Sequence, residues 1–119
     1  MANPFVHVEL MTNDVEASKS FYKSIFDWKT EDMPELGYTM IEVGEGTGGG
    51  ILKNPMPGAP PSWLAYVHVS DVGATTKRAQ ELGAKVIKER TEVPGMGFFS
   101  ILADPQGAVF ALWEMKRKK

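Results

Sequence analysis

Two stretches of the chain repeat one pattern, and this repeat constrains the fold more than any other feature. A strand-like segment leads into the sequence Asp-Val-x-Ala at Asp14, and another leads into the same sequence 57 residues later, at Asp71. Since this offset is close to half of the 119 residues, the chain is predicted to hold two copies of one supersecondary module. Function is then expected in a cleft that the copies share.

Each copy is predicted to be a βαβββ module. Residues 5–11 alternate between the two faces of a strand, Asp14 is a predicted helix N-cap, and short strands separated by Gly and Pro follow. The second copy has the same order, and Gly83 is placed to stop its helix. The prediction is a single α+β domain over residues 1–119, with module one at 4–53, a proline-rich linker at 54–62 and module two at 63–115.

Composition narrows the function classes. The absence of cysteine excludes disulfides, thiolate zinc sites and cysteine nucleophiles, so any metal must be bound by His, Asp or Glu. A net charge of −2 provides no broad field for nucleic acid or anionic lipid, and the basic residues 116–119 are interpreted as a solvated tail. No signal peptide or membrane span is recognisable, so a cytoplasmic protein with a small-molecule or protein partner is expected.

The segment Gly44–Gly49 fits the dinucleotide-binding pattern G-x-G-x-x-G. That pattern requires a helix to follow, because the helix N-terminus holds the pyrophosphate, but here the strand-like residues 51–53 follow. A glycine-rich hairpin is predicted instead, or a strand whose small residues let a ligand or another backbone approach closely.

Several phrases resemble the vicinal oxygen chelate superfamily, which includes glyoxalases, bleomycin-resistance proteins and extradiol dioxygenases, and within it a glyoxalase-related subgroup of bacterial proteins. The resemblance implies two βαβββ modules whose mixed sheet forms a cup, with the helices outside and dimers common. The phrases are Glu9-Leu10-Met11-Thr12-x-Asp14, Phe21-Tyr22, Phe26-x-Trp28, Trp63-x-x-Tyr66-x-x-Val69-x-Asp71 and Asp104-Pro105-Gln106-Gly107-Ala108-Val109-Phe110-Ala111-Leu112-Trp113.

In that superfamily the first and last strand of each module offer up to four ligands to a divalent metal. The resemblance implies that the matching positions here are His7, Leu64, Ala111 and a residue within 48–52, of which only His7 can ligate. Glu114 lies three residues past Ala111 and should point to the opposite face of its strand. One imidazole does not make a metal site, so no cofactor is expected.

Strand alternation assigns further residues to the cup. We expect Glu9 and His68 to share this face with His7, and these three are the candidate catalytic residues, with His7, Glu9 and His68 also forming an alternative, unorthodox metal site. A carboxylate inside a cup is costly unless it is paired, so Glu9 either bonds to a histidine or acts as a general base. The candidate ligand contacts are Leu64, Tyr66, Ala111, Trp113 and, at the rim, Phe98.

Three functions remain open. The first is a metal-independent pocket protein that binds a small, partly aromatic or hydrophobic molecule, as bleomycin-resistance proteins do. The second is a lyase, isomerase or dioxygenase of the glyoxalase-related group that uses Glu9 with His7 or His68, with or without a metal. The third is a structural or regulatory homodimer without a ligand. Tyr66 and Trp113 also have a purely structural interpretation as core aromatics.

Overall fold

The computed structural model describes residues 2–55 and 58–116, and within them the chain forms two α-helices and eight strands, the α+β class that was predicted. Neither of these helices has the length and apolar character needed to cross a membrane. The elements are β1 (Phe5–Thr12), α1 (Val15–Ile25), β2 (Lys29–Met33), a short 3-10 turn (Pro34–Leu36), β3 (Tyr38–Glu42), β4 (Gly49–Lys53), β5 (Ser62–His68), α2 (Val72–Glu81), β6 (Lys85–Val93), β7 (Gly97–Ala103) and β8 (Val109–Met115).

Both helices begin in the same way. The side chain of Asp14 accepts a hydrogen bond of 3.0 Å from the backbone N–H of Ala17, and Asp71 accepts one of 3.0 Å from Ala74. Each aspartate is an N-cap with extended backbone, which satisfies one of the N–H groups that a helix start leaves unpaired. The prediction that these two residues are equivalent is confirmed.

The two sets of four strands have one topology. In the first set the order is β2-β3-β4-β1, and in the second it is β6-β7-β8-β5. In each set the first strand pairs in parallel with the last, and the remaining pairs are antiparallel. Each set is therefore a mixed βαβββ module, as predicted, and each helix packs on one face of its own strands over a small apolar core. Those cores are Leu10, Ile41 and Ile51 in the first set and Val69, Val72, Leu102 and Leu112 in the second.

Strand boundaries differ from the prediction in one informative place. The sequence predicts a strand over residues 85–89 after α2, but β6 continues to Val93, and its pairing with β7 shifts between Val86 and Thr91. A bulge lets a strand continue while its register changes, and the polar sequence of this segment does not reveal it.

The glycine-rich segment Gly44–Gly49 does not lead into a helix. Residues after Glu42 form a loop, with Gly44 and Gly46 at positive φ, and the chain then enters β4. A Cβ built on Gly49 would collide with the backbone carbonyl of Val8 on the adjacent strand β1. The predicted close approach is therefore made by another backbone, and the dinucleotide interpretation is excluded on context.

The chain divides into two compact units whose limits differ from those of the sequence repeat. One unit is residues 7–64, and the other combines residues up to Val6 with those from Ala65 onward. Within the latter, Asn3 Nδ2 donates to the carbonyl of His68, and the His68 N–H donates to the carbonyl of Pro4. Parts of the predicted linker and basic tail, residues 56–57 and 117–119, lie outside the described residues. The module boundaries and the cup shape stay predictions.

Candidate functional site

A buried polar cluster lies within residues 7–64 and consists of His7, Glu9 and Tyr38. The Tyr38 hydroxyl is 2.5 Å from His7 Nε2 and donates to Glu9 Oε1 over 3.0 Å. The His7 and Tyr38 rings are roughly parallel, with their centroids 6.1 Å apart. Glu9 is only 8% exposed. Two predicted residues, His7 and Glu9, are therefore brought together, and a tyrosine that the sequence did not single out connects them.

The proton count of the cluster fixes its hydrogen-bond directions. A tyrosine hydroxyl carries one proton, so when it donates to Glu9 its oxygen can only accept from His7, which must then carry its proton on Nε2. Burial lowers the pKa of His7, which favours this neutral imidazole. The cluster is thus a continuous hydrogen-bonded chain from imidazole through phenol to carboxyl, in which each hydrogen bond strengthens the next.

Strand β3 carries Tyr38 to this cluster, and Gly50 on β4 makes room for it. Glu9 and Gly50 are paired across β1 and β4, and Gly50 is also paired with Met40 on β3. Tyr38 lies two residues before Met40 and therefore on the same face. A Cβ on Gly50 would collide with the Tyr38 ring and hydroxyl. The absence of a side chain at position 50 is what lets the phenol reach across to β1.

The other unit gathers four of the predicted residues on one face. Across β5 and β8, Tyr66 is paired with Ala111, and His68 with Trp113. Tyr66 and Ala111 are buried, and the Tyr66 ring lies 6.3 Å from the Phe99 ring. The predicted sharing of a face by these β5 and β8 residues is confirmed. Leu64, also buried, belongs to the unit of residues 7–64.

Phe98 and Glu114 lie on the opposite face. They are register partners on β7 and β8, Arg90 stacks over the Phe98 ring at 3.9 Å, and Glu114 Oε1 accepts a 2.9 Å hydrogen bond from the Val72 N–H. Glu114 therefore accepts a hydrogen bond at the start of α2. Its predicted orientation away from the face of Ala111 is confirmed. Phe98, placed at the rim by the sequence, does not share the face of Tyr66. Its neighbour Phe99 does.

The cluster around Tyr38 has a counterpart of different chemistry in the second set of strands. In each set a residue of the first strand pairs with a small residue of the last strand. That small residue also pairs with a residue of the third strand, and an aromatic residue lies two positions before this third-strand partner. The first copy has a carboxyl group and a phenol at these places, beside a glycine, and the second has two aromatic rings beside an alanine. The corresponding residues are Glu9 and Tyr66, Gly50 and Ala111, and Tyr38 and Phe99.

An apolar groove lies on the other face of the first set of strands. It has a volume of about 390 Å³ and includes Val8, the strand neighbour that points away from the polar cluster. Trp28 and Trp63 line it with ring centroids 6.4 Å apart at 80°, and Tyr22 contacts both. The sequence did not predict this aromatic packing. The remaining lining residues are Ile41, Val43, Thr47, Gly48 and Gly49.

The residues present do not fit the divalent-metal site that is described above for the superfamily. Over residues 2–55 and 58–116, no group of three or more His, Asp or Glu is placed to hold an ion. His7 and Glu9 already share the Tyr38 hydroxyl. Leu64, Ala111 and Gly50 offer no donor atom in their side chains.

Solved structures share this fold at low sequence identity. A hypothetical protein from Bacillus halodurans C-125 superposes with a TM-score of 0.70 at 17% identity, covering 100% of this chain and 99% of that one. Methylmalonyl-CoA epimerase from Mycobacterium tuberculosis superposes with a TM-score of 0.67 at 15% identity, covering 95% and 88%. At such identities the likeness concerns the fold alone.

Curated relatives are closer in sequence and considerably longer. CFP32 of Mycobacterium tuberculosis, a proposed glyoxylase by name, is 34% identical over 107 residues, which are 87% of this chain and 41% of the relative. The anthracycline biosynthesis protein DnrV of Streptomyces peucetius is 30% identical over 122 residues, 88% of this chain and 44% of that protein. The chain thus spans about two fifths of the length of these relatives.

The strand order, the two modules and these similarities agree with a match between most of the chain and one family model. The family model for the glyoxalase/bleomycin resistance protein/dioxygenase superfamily matches residues 5–112. The chain therefore belongs to the glyoxalase/bleomycin resistance protein/dioxygenase superfamily.

Proposed function

We propose that this protein binds a small organic molecule without a metal ion and that Glu9, Tyr38 and His7 hold the polar group of that molecule. The supporting observation is the hydrogen-bond chain through the Tyr38 hydroxyl, 2.5 Å from His7 and 3.0 Å from Glu9. Together the three side chains offer a carboxylate acceptor, a hydroxyl that both donates and accepts, and a neutral imidazole. Such a set suits a ligand oxygen of a hydroxyl, enol or carbonyl group.

Burial of the cluster favours recognition by hydrogen bonds. The carboxyl of Glu9 is shielded from water, and hydrogen bonds in such poorly hydrated surroundings are stronger than the same bonds in water. A ligand that leaves one of these groups unpaired loses about 1–3 kcal/mol. The other predicted contacts, which are His68, Leu64, Tyr66, Ala111, Trp113 and Phe98, stay predictions.

A second candidate function is a lyase or isomerase in which Glu9 removes a proton. The observation that favours it is the hydrogen-bonded chain itself, because Tyr38 connects the carboxyl of Glu9 to an imidazole that burial keeps neutral. In such a reaction Glu9 takes a proton from one carbon and returns it to the product, while the Tyr38 hydroxyl keeps its proton and donates a hydrogen bond to the oxygen where negative charge develops. The proposed glyoxylase among the relatives agrees with this class but covers more chain than is present here.

Metal content and ligand binding test the proposal together. We expect protein purified without chelators to contain less than about one tenth of an equivalent of metal, and nickel, zinc, manganese and iron(II) to leave its Tm unchanged. A panel of small hydroxy- and carbonyl-bearing compounds, including aromatic ones, should contain members that raise the Tm. Stoichiometric metal that is lost in His7→Ala would overturn the metal-free proposal and support a metalloenzyme.

We also propose a homodimer and a cytoplasmic location. Helix α1 leaves apolar side chains in solvent, since Phe21 is 57% and Ile25 is 54% exposed. A cluster of exposed apolar side chains on a small protein commonly marks an interaction surface. The superfamily resemblance, rather than any observed partner, motivates the choice of a second copy.

A further inference from the structure

We propose that Tyr38 takes the place of a metal ion in the first copy, holding His7 and Glu9 together through its hydroxyl and filling the space beside Gly50. This inference deepens the proposed metal-free function and rests on it. It assigns a positioning role to a residue outside the sequence-predicted site.

The first argument is the protonation of His7. Since the Tyr38 hydroxyl donates to Glu9, His7 Nε2 must act as the donor in its 2.5 Å contact with the phenol oxygen. A metal ion binds an imidazole nitrogen through its lone pair, which a protonated Nε2 lacks. An ion at Nε2 would therefore have to displace both this proton and the phenol.

The second argument is space. Gly50 is the strand partner of Glu9, so a side chain at position 50 would project onto the same face, next to the carboxylate. That volume is occupied, because a Cβ there would collide with the Tyr38 ring and its hydroxyl. With Tyr38 in place, β4 cannot supply a ligand beside Glu9, whichever residue stands at position 50.

The arrangement also selects a ligand class. A metal recognises two neighbouring oxygens by chelating both, whereas the Tyr38 hydroxyl can exchange its hydrogen bonds with one ligand oxygen at a time. We therefore expect compounds with a single hydroxyl, enol or carbonyl oxygen to bind as well as their vicinal dioxygen analogues. Chelation would favour the vicinal compounds strongly.

The test uses cobalt(II) alone, without any organic ligand, and follows the His7 ring by NMR in the full chain. In the wild type we expect the neutral Nε2–H tautomer and no paramagnetic broadening of His7 with one equivalent of cobalt(II). Tyr38→Phe keeps the ring and removes the hydroxyl, so the tautomer preference should fall while broadening stays absent. Circular dichroism verifies that this variant folds.

Two results would each overturn the inference. One is broadening of the His7 ring signals in the wild type at stoichiometric cobalt(II), because the metal would then bind with Tyr38 present. The other is a His7 tautomer that Tyr38→Phe leaves unchanged, since the hydroxyl would not be positioning the ring. If Tyr38→Phe does not fold, the wild-type cobalt(II) titration alone decides. A failed ligand search affects neither measurement, so the binding proposal can fail independently.

Discussion

The phenol ring of Tyr38 lies over Gly50, in the space that a side chain at position 50 would need. We predict that Gly50→Ala lowers the free energy of unfolding by about 1–3 kcal/mol, because the ring must move and its hydrogen bonds to His7 and Glu9 must stretch. Urea denaturation measures the loss. Combining Gly50→Ala with Tyr38→Ala should cost less than the sum of the two single changes, because the collision is then absent.

Gly73 provides the matched control for this substitution. It lies in α2, and a Cβ there would make only ordinary contacts of 3.5 and 3.6 Å, to Asp71 and Arg90. Gly73→Ala should therefore leave stability unchanged or raise it by up to about 1 kcal/mol through helix propensity. Equal destabilisation by the two substitutions would contradict a specific role for the space at Gly50.

Stability should depend on pH through His7. Burial lowers its pKa below the usual value of about 6.5, so above that pH the imidazole is neutral in both the folded and the unfolded chain. As the pH falls below 6.5, the unfolded chain takes up the proton first, and stability is lost until the pH passes below the folded pKa. For one proton the slope is at most about 1.4 kcal/mol per pH unit.

The measurement is urea denaturation at several values between pH 7.5 and 5. We expect His7→Gln to show a smaller loss over this range than the wild type. Asp32 and Glu92, whose pKa values are lowered by Lys19 and Lys116, lose their stabilising charge only at more acidic pH. Identical profiles for the wild type and His7→Gln would show that the buried imidazole does not control this dependence.

Glu9→Gln separates the two candidate functions. Glutamine keeps the size of the side chain and an oxygen that can accept from Tyr38, but it cannot take up a proton as a base. If the protein only binds its ligand, the Kd should rise by less than about tenfold. If Glu9 is a general base, turnover should fall by about 10²-fold or more while binding persists. Loss of both through unfolding would be recognised by circular dichroism.

Glu114 should act on stability and not on ligands. Its carboxylate accepts from the Val72 N–H at the start of α2, so Glu114→Ala should lower the free energy of unfolding by about 1–2 kcal/mol. Glu114→Gln keeps the acceptor and should cost less. Thermal or urea denaturation provides the comparison. A change in metal or ligand affinity without a change in stability would return Glu114 to the list of site residues.

Exposed apolar residues on α1 should determine self-association. We predict that the double substitution Phe21→Lys and Ile25→Glu weakens a homodimer at least tenfold, as measured by light scattering over a range of protein concentrations. Ser20→Lys, also exposed on α1, is the control and should leave association unchanged. A wild type that is monomeric at all concentrations would contradict the proposed homodimer.

Patterns that depend on neighbouring residues were predictable from the sequence. Asp14 and Asp71 cap their helices as expected because a helix start needs a nearby acceptor whatever surrounds it. Alternation along β1 correctly placed His7 and Glu9 on one face because the period of a strand is fixed. The opposite orientation of Glu114 followed from the same rule.

Relationships between distant strands were not predictable in the same way. Tyr38 lies 29 residues from Glu9 along the chain, and their contact depends on the register of β3, β4 and β1 together. A glycine beside a buried carboxylate was the available signal, since it indicates that something else fills the space. The exposure of Phe21 and Ile25 also depends on what surrounds α1, which helical spacing does not reveal.

The repeat in the sequence and the compact units are out of phase, since residues before His7 lie in the unit that resumes at Ala65. Asn3 and Pro4 bond to His68, while Trp63 packs with Tyr22 and Trp28. The first residues of β1 therefore belong to the unit that contains most of β5, and the first residues of β5 belong to the unit that contains most of β1. A single cut in the chain between residues 58 and 61 would leave two fragments, each of which carries residues that belong to the compact unit formed mainly by the other.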